Sequence, residues 1–127
     1  MKLDTAKRKL LIIDDDEATR ILIRGIFEGT NIELLEADGG EYAIELFKKY
    51  SHNLDLILLD IILPTFSGWE LIKLFREVNP EVPIIALSAM SSKELAMKCR
   101  ISGFNSWLSK PFEIEEIKKL IEMFLEK

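Results

Sequence analysis

A short apolar stretch near the middle of the chain, LDLILLD at residues 54–60, constrains the fold more than any other feature. Its consecutive leucine and isoleucine residues would make both faces of a strand apolar. Strands that are buried on both faces are typical of parallel sheets covered by helices. Asp60 ends the stretch. Because a buried carboxylate is rare unless it is paired, we expect Asp60 at the exposed carboxyl end of the strand, where ligands bind in open α/β sheets.

The rest of the chain repeats a short apolar run followed by an amphipathic one, five times from Lys9 onward. This alternation predicts an α/β fold, a doubly wound parallel sheet of five strands covered by five helices. The predicted strands are Lys9–Asp14, Asn31–Ala37, Leu54–Asp60, Val82–Ser88 and Phe104–Ser109. The predicted helices are Glu17–Gly29, Gly40–Tyr50, Gly68–Val78, Ser92–Ser102 and Glu113–Lys127. The second strand is the least apolar of the five, which favours a place at the edge of the sheet.

Length and charge limit the classes of protein that the chain can belong to. Its 127 residues predict a single domain over residues 1–127. The net charge of −5 argues against a domain that binds nucleic acid directly. The apolar runs are too short to span a bilayer, so we expect a cytoplasmic protein with no membrane partner. The single cysteine, Cys99, cannot form an internal disulfide, and we expect it to be a small buried apolar residue.

Polar side chains stand at four predicted strand ends, and a parallel sheet brings these ends to one edge. They are Asp14 and Asp15, Asp60, Ser88, and Lys110. Three carboxylates repel each other there, and a hard divalent cation such as Mg²⁺ is the simplest way to keep them ionised together. A lysine and a hydroxyl supply the positive charge and the hydrogen-bond donor that a phosphoryl group needs. The set predicts attack by a carboxylate on phosphorus to give an acyl phosphate.

The same residues carry a resemblance that covers nearly the whole chain in order. The chain resembles the receiver domain of two-component response regulators, in a stand-alone form like the chemotaxis regulators. The motifs are the paired acid after the first strand, Asp60-x-x-x-Pro64-x-x-x-Gly68, Ser88-Ala89 and Lys110-Pro111-Phe112. The resemblance implies a flavodoxin-like sheet with strand order 2-1-3-4-5.

The resemblance also implies roles for individual residues. Asp60 would be the phospho-acceptor, and Lys110 would contact the phosphoryl group. Ser88, followed by Ala89, occupies the position of the switch hydroxyl. Mg²⁺ would be held by Asp14, Asp15, Asp60 and the backbone carbonyl of Ile62, with Asp15 the most direct ligand. The peptide bond before Pro111 would be cis.

One position departs from the family pattern. Three residues before Lys110, where the family usually has the Tyr or Phe that rotates during switching, this chain has Trp107. A larger ring needs more room to turn inward beside Ser88. The resemblance therefore implies the chemistry more directly than the coupling between the site and a distant surface.

A candidate output surface follows from the helical phase of the fourth helix. If Leu95, Cys99 and Ser102 form its buried stripe, Met97 and Ile101 project on nearly the opposite side. The resemblance places the usual output surface on the fourth helix, fifth strand and fifth helix. We therefore expect Met97, Ile101 and Trp107 to form a docking patch for a second copy or for a downstream protein partner.

The leading interpretation is a signalling switch, not an enzyme, that receives its phosphoryl group from a histidine kinase or a phosphotransfer protein. One alternative is a Mg²⁺-dependent phosphohydrolase with an Asp nucleophile. Such an enzyme would need a second acid/base carboxylate and a cap, whereas Ile61 and Ile62 follow Asp60 and no cap is inserted. Another alternative is an interaction module that works without phosphorylation, which we would expect to have lost some of the acids or Lys110. The start at Met1 and a last helix that runs to Lys127 favour a stand-alone receiver slightly over an excised domain.

Overall fold

The protein forms a three-layer α/β sandwich in a computed structural model that describes residues 7–89 and 92–125. Five parallel strands lie in the order β2-β1-β3-β4-β5, which confirms the expected order. The strands are β1 (Arg8–Ile13), β2 (Ile32–Ala37), β3 (Leu56–Asp60), β4 (Ile84–Ser88) and β5 (Ser106–Ser109). The helices are α1 (Glu17–Phe27), α2 (Gly40–Tyr50), α3 (Gly68–Val78), α4 (Lys93–Ser102) and α5 (Ile114–Leu125). None of the helices in the described part of the chain is long and apolar enough to cross a bilayer.

Consecutive apolar residues in the central strands supply both layers of the core, as the sequence predicts. In β1, Leu11 and Ile13 face the cluster that includes residues of α2, α3 and α4, whereas Leu10 and Ile12 face the cluster formed with α1 and α5. Every residue of β3 and of β4 is buried. This double burial fixes the register of the central strands and hence the position of their carboxyl ends.

The edge strand and the helix ends follow local chemistry. β2 lies at one edge of the sheet, as its composition predicts, and five of its six residues are only half-buried. Ser67 begins α3 with a capping box in which it exchanges hydrogen bonds with Glu70. The α1 helix ends at Phe27, two residues before the predicted end, and Gly29 follows with a φ of +81°.

The α4 helix differs from its predicted buried stripe at one residue, and α5 leaves its first apolar residue exposed. In α4, Leu95 and Cys99 are buried, but Ser102 is only half-buried. In α5 the buried residues are Ile117, Ile121 and Leu125, whereas Ile114 is 46% exposed. Ile114 has the angular position of the buried stripe, so its exposure results from its place in the first helical turn and not from its phase. The predicted end of α5, residues 126–127, lies outside the described residues.

Candidate functional site

Four strand ends meet in one pocket at the carboxyl edge of the sheet. Asp14 directly follows β1, Asp60 ends β3, Ser88 ends β4, and Lys110 directly follows β5. The ammonium nitrogen of Lys110 lies 2.7 Å from Oδ2 of Asp14 and 3.2 Å from Oδ2 of Asp60. The side chain of Lys110 therefore joins two carboxylates that come from different strands.

Asp60 is held by contacts on both of its carboxylate oxygens. The backbone N–H of Ile62 donates to Oδ1 at 3.1 Å, and Lys110 donates to Oδ2. Asp60 is only 5% exposed, so the expectation of an exposed strand end is wrong. The carboxylate tolerates this burial because it has an ammonium partner and a backbone donor.

A close contact between backbones positions the end of β3. A Cβ added at Gly68 would lie 2.7 Å from the carbonyl oxygen of Asp60 and 2.7 Å from Cα of Ile61. The N–H of Gly68 donates to the carbonyl of Ile61 at 2.7 Å. The segment from Asp60 to Gly68 thus returns to the strand that it left, and only glycine fits at the point of closest approach.

Asp14 is completely buried, and each of its polar groups has a neighbour. Its N–H donates to the carbonyl of Ala37 at 3.0 Å, and its carbonyl accepts from Nη1 of Arg20 at 2.7 Å. Its Oδ1 accepts from the N–H of Asp16 at 2.9 Å. Its Oδ2 forms the ion pair with Lys110 but accepts no well-directed hydrogen bond from the described residues.

The three consecutive acids divide into two roles. Asp14 is buried, whereas Asp15 is exposed at the rim of the pocket. Asp16 caps α1, because its Oδ1 accepts from the N–H of Ala18 and its Oδ2 accepts from the hydroxyl of Thr19. Only the first two acids therefore belong to the pocket.

The electrostatics of the pocket reflect burial and the proximity of like charges. Burial, together with the charge of Asp14, raises the pKa of Asp60 to about 6, although Lys110 and the N–H of Ile62 oppose the rise. Burial alone would lower the pKa of Lys110, but its contacts with Asp14 and Asp60 outweigh burial and raise that pKa above its ordinary value. The pocket thus holds more negative charge than Lys110 compensates.

The donor set fits a hard divalent cation. Asp14, Asp15 and Asp60 each place one carboxylate oxygen within 4.8 Å of the others. Oδ2 of Asp14 is buried and pairs with Lys110 but accepts no well-directed hydrogen bond from the described residues, so it retains the capacity to act as a ligand. Mg²⁺ prefers oxygen ligands and binds through one or two carboxylates while it retains several waters. An acidic pocket of this composition suits Mg²⁺ better than a soft metal.

The remaining residues of interest lie around β4 and β5. Ser88 is 2% exposed, and its carbonyl accepts from the N–H of Lys110 at 2.7 Å, whereas Ala89 is exposed. Trp107 is half-buried and pairs with Ala86, so its side chain lies on the same face of the sheet as those of Ala86 and Ser88. The Lys110–Pro111 peptide bond is cis.

The outer face of α4 lies beside Trp107. The guanidinium carbon of Arg100 stands 6.0 Å from the centre of the Trp107 ring. Met97 is 61% exposed and Ile101 is 79% exposed. The three residues of the predicted docking patch are thus an accessible pair on α4 and a half-buried ring on β5.

Sequence reasoning missed Arg20, which lies on α1 and contacts the backbone of Asp14. The spacing of Asp16, Arg20 and Arg24 was the available signal, because residues four apart share one face of a helix. That face lies against Glu36 of β2, which both arginines contact.

Comparison with known proteins agrees with this geometry. The family model for the response regulator receiver domain matches residues 10–122. Sporulation initiation phosphotransferase F of Bacillus subtilis is 27% identical, over 92% of this chain and 93% of that protein. A two-component response regulator-like protein of Arabidopsis thaliana is 32% identical over 88% of this chain, which spans only 24% of that protein's length.

Among solved structures, CheY in the CheX-CheY-BeF3-Mg+2 complex from Borrelia burgdorferi superposes with a TM-score of 0.83 at 28% identity. The match covers 91% of this chain and 87% of that one. The strand order, the acidic pocket and the family match lead to the same conclusion. This chain belongs to the response regulator receiver domain family, and its acidic pocket is formed by Asp14, Asp15 and Asp60.

Proposed function

We propose that the chain is one receiver domain, over residues 1–127, that acts in the cytoplasm as a phosphoryl-accepting switch. The observation that carries the proposal is the buried carboxylate of Asp60, held at the end of β3 beside Lys110 and two further acids. The phosphoryl donor would be a phosphohistidine on a histidine kinase or a phosphotransfer protein. The relationship to a phosphotransferase of sporulation initiation supports a donor of this kind.

In the proposed step, a carboxylate oxygen of Asp60 attacks the phosphorus atom of the donor. The new O–P bond forms as the P–N bond breaks, and the donor imidazole leaves with the electron pair of that bond. The Ile62 N–H fixes the orientation of the carboxylate, and Lys110 offers positive charge to the phosphoryl oxygens. The product is an acyl phosphate on Asp60, so the domain is itself the substrate of the transfer and not an enzyme acting on other molecules.

Asp14, Asp15, Asp60 and the backbone carbonyl of Ile62 are the groups that we propose as the Mg²⁺ site. Bound Mg²⁺ would offset the negative charge of the carboxylates and of the incoming phosphoryl group. Beryllofluoride and Mg²⁺ are both present in the Borrelia burgdorferi complex that contains the related CheY, which supports this assignment. Asp15 is the most accessible of the three acids and is therefore the best placed to take up the cation.

The phosphorylated state would be read through Ser88 and Trp107. We propose that the Ser88 hydroxyl and the N–H of Ala89 bind the phosphoryl oxygens. The resulting movement of Ser88 would act on Trp107, whose side chain lies on the same face of the sheet. Met97, Ile101 and Trp107 would then present a changed docking patch to a downstream protein or to a second copy of the chain. The related CheY in the Borrelia burgdorferi complex is bound to a partner protein, CheX, which supports a protein partner for this chain.

One experiment separates the switch from a phosphohydrolase. Wild-type protein and Asp60→Asn are incubated with Mg²⁺ and either acetyl phosphate or a panel of phosphomonoesters, and released phosphate and protein mass are recorded. A switch becomes phosphorylated by acetyl phosphate and releases no phosphate from the phosphomonoesters beyond the Asp60→Asn background. Steady turnover of a phosphomonoester that depends on Asp60 would replace the switch with the hydrolase.

A further inference from the structure

Arg20 stands between the acidic pocket and the surface of the sheet edge. Its side chain is only 16% exposed, and its Nη1 donates to the backbone carbonyl of Asp14 at 2.7 Å. Its Nε lies 3.3 Å from Oε1 of Glu36, which is on β2. A single guanidinium therefore connects the backbone of a pocket residue to a carboxylate on the neighbouring strand.

The partner of Arg20 is itself fixed. Arg24 binds Glu36 through both carboxylate oxygens, with Nε to Oε2 at 2.7 Å and Nη2 to Oε1 at 2.8 Å. This paired geometry holds the carboxylate in one orientation. Glu36 is followed by Ala37, whose carbonyl accepts from the N–H of Asp14. Both backbone polar groups of Asp14 are thus tied, directly or through one residue, to the end of β2.

Arg20 makes no hydrogen bond or ion pair with the Asp14 carboxylate among the described residues, and its guanidinium shares the Glu36 carboxylate with Arg24. Its influence on the pocket therefore comes through the backbone of Asp14. That backbone determines where the Asp14 carboxylate points and where the chain turns toward Asp15. The Asx turn, in which Oδ1 of Asp14 accepts from the N–H of Asp16, depends on the same backbone.

We propose that Arg20 is a positioning residue that holds the Asp14–Asp15 turn in the arrangement required for divalent-cation binding. The cation-binding part of this inference rests on the proposed function. Loss of a residue that orients a metal ligand typically weakens metal affinity by about tenfold or more. Glu36 serves as the anchor of Arg20 in this arrangement. In Arg24→Met, both groups of the Arg20–Glu36 ion pair and of the Arg20 hydrogen bond to the Asp14 carbonyl are kept.

The test compares Arg20→Met with Arg24→Met. The second variant is the control, because it removes the same charge and because Arg24 contacts the same carboxylate, that of Glu36, in the wild type. Arg24 is 55% exposed and makes no hydrogen bond or ion pair with Asp14 among the described residues, so it serves as the matched control. Each protein is titrated with MgCl₂ and followed by the shifts of backbone amide signals in NMR spectra. Arg20→Met should weaken Mg²⁺ binding by about tenfold, and Arg24→Met should change it by less than about twofold.

A second measurement needs no metal. In Mg²⁺-free protein, the backbone amide hydrogens of Asp14 and Asp16 should exchange with solvent several-fold faster in Arg20→Met than in the wild type. Their exchange rates in Arg24→Met should equal those of the wild type. Arg20→Lys, which keeps the charge but has one terminal donor group, should lie between the wild type and Arg20→Met in both measurements. It also provides the comparison if Arg20→Met does not fold.

The outcomes distinguish the inference from the function on which it rests. Equal changes in Mg²⁺ affinity for Arg20→Met and Arg24→Met, or unchanged amide exchange in Arg20→Met, would overturn the role of Arg20. Absence of any Mg²⁺-dependent shift in the wild type would instead contradict the proposed function, and the exchange comparison alone would then decide whether Arg20 positions the turn.

Discussion

At the scale of single residues, the pocket holds two buried carboxylates next to one ammonium group. Asp14 is completely buried and Asp60 is nearly so, and Lys110 contacts both. Burial, together with the charge of Asp14 that Lys110 only partly offsets, raises the pKa of Asp60 to about 6. The arrangement favours binding of a cation, and it carries a cost to stability when no cation is bound.

Asp60→Asn should therefore stabilise the metal-free protein at neutral pH. The pKa of Asp60 is raised in the folded state, so the wild type loses stability as pH increases from about 4 through about 6. Asparagine does not ionise, so the variant should gain about 1–3 kcal/mol over the wild type at pH 7 and much less at pH 4. Urea unfolding in EDTA at both pH values measures the difference. A variant that is less stable than the wild type at pH 7 would show that Asp60 is a net stabilising charge.

Sequence patterns predicted the positions of the pocket residues better than their burial and contacts. The position of Asp14, Asp60 and Lys110 at one edge of the sheet could be predicted, because each stands at a strand end and the apolar runs predict where strands end. The burial of Asp60 could not be predicted, because it depends on how closely the segment up to Gly68 returns to β3. Arg20 was missed because the spacing of Asp16, Arg20 and Arg24 indicates a shared helix face but not a contact between Arg20 and the backbone carbonyl of Asp14.

At the scale of elements, the junction between β3 and α3 fixes the end of β3, where Asp60 lies. Gly68 is the first residue of α3, and its N–H donates to the carbonyl of Ile61. A side chain at this position would meet backbone atoms, which cannot move aside as a flexible side chain can. By contrast, the space beside Gly25 in α1 is open to 4 Å.

Gly68→Ala should destabilise the protein by about 1–3 kcal/mol, because the added methyl group forces the backbone of Asp60 and Ile61 to shift. Gly25→Ala makes the same chemical change at an exposed position inside α1 and should stabilise the protein by about 0.5–1 kcal/mol. Midpoints of urea unfolding for the two variants test this pair. Equal effects of the two substitutions would mean that the junction relaxes freely and does not fix the end of β3.

At the scale of the whole molecule, α4 is the helix whose buried apolar side chains are smallest. It buries only Leu95 and Cys99, and although α1 also buries two residues, these are the larger Ile23 and Phe27. Two of its cations lie over tryptophan rings: Lys98 is 4.4 Å from the centre of the Trp69 ring, and Arg100 lies over Trp107. Contacts of this kind are weak at exposed sites, so we infer that α4 is the helix that shifts most easily.

The docking patch should therefore respond to the state of Asp60. If the patch mediates self-pairing, beryllofluoride with Mg²⁺ should increase the sedimentation coefficient of the wild type. Met97→Glu combined with Ile101→Glu should abolish this increase, because the two carboxylates would have to be desolvated in the interface. Ser88→Ala should bind beryllofluoride yet show a smaller increase, because it lacks the hydroxyl that we propose couples the site to Trp107.

The docking patch is tested by comparing each protein with and without beryllofluoride. Capture of a cognate partner by immobilised wild type and by the double variant covers the case in which the partner is a different protein. The patch would lose its proposed role if the double variant matched the wild type in self-association and in partner capture, with and without beryllofluoride.

The most direct test of the central claim is the intact mass of the protein after incubation with acetyl phosphate, in Mg²⁺ and in EDTA. Asp16→Asn is the control for Asp60→Asn, because Asp16 follows the two pocket acids in the sequence but caps α1, and asparagine is an equally good cap. We expect the wild type and Asp16→Asn to gain one phosphoryl group in Mg²⁺ and none in EDTA, and Asp60→Asn to gain none in either. A phosphoryl group on Asp60→Asn, or equal labelling of the wild type in EDTA, would contradict the account.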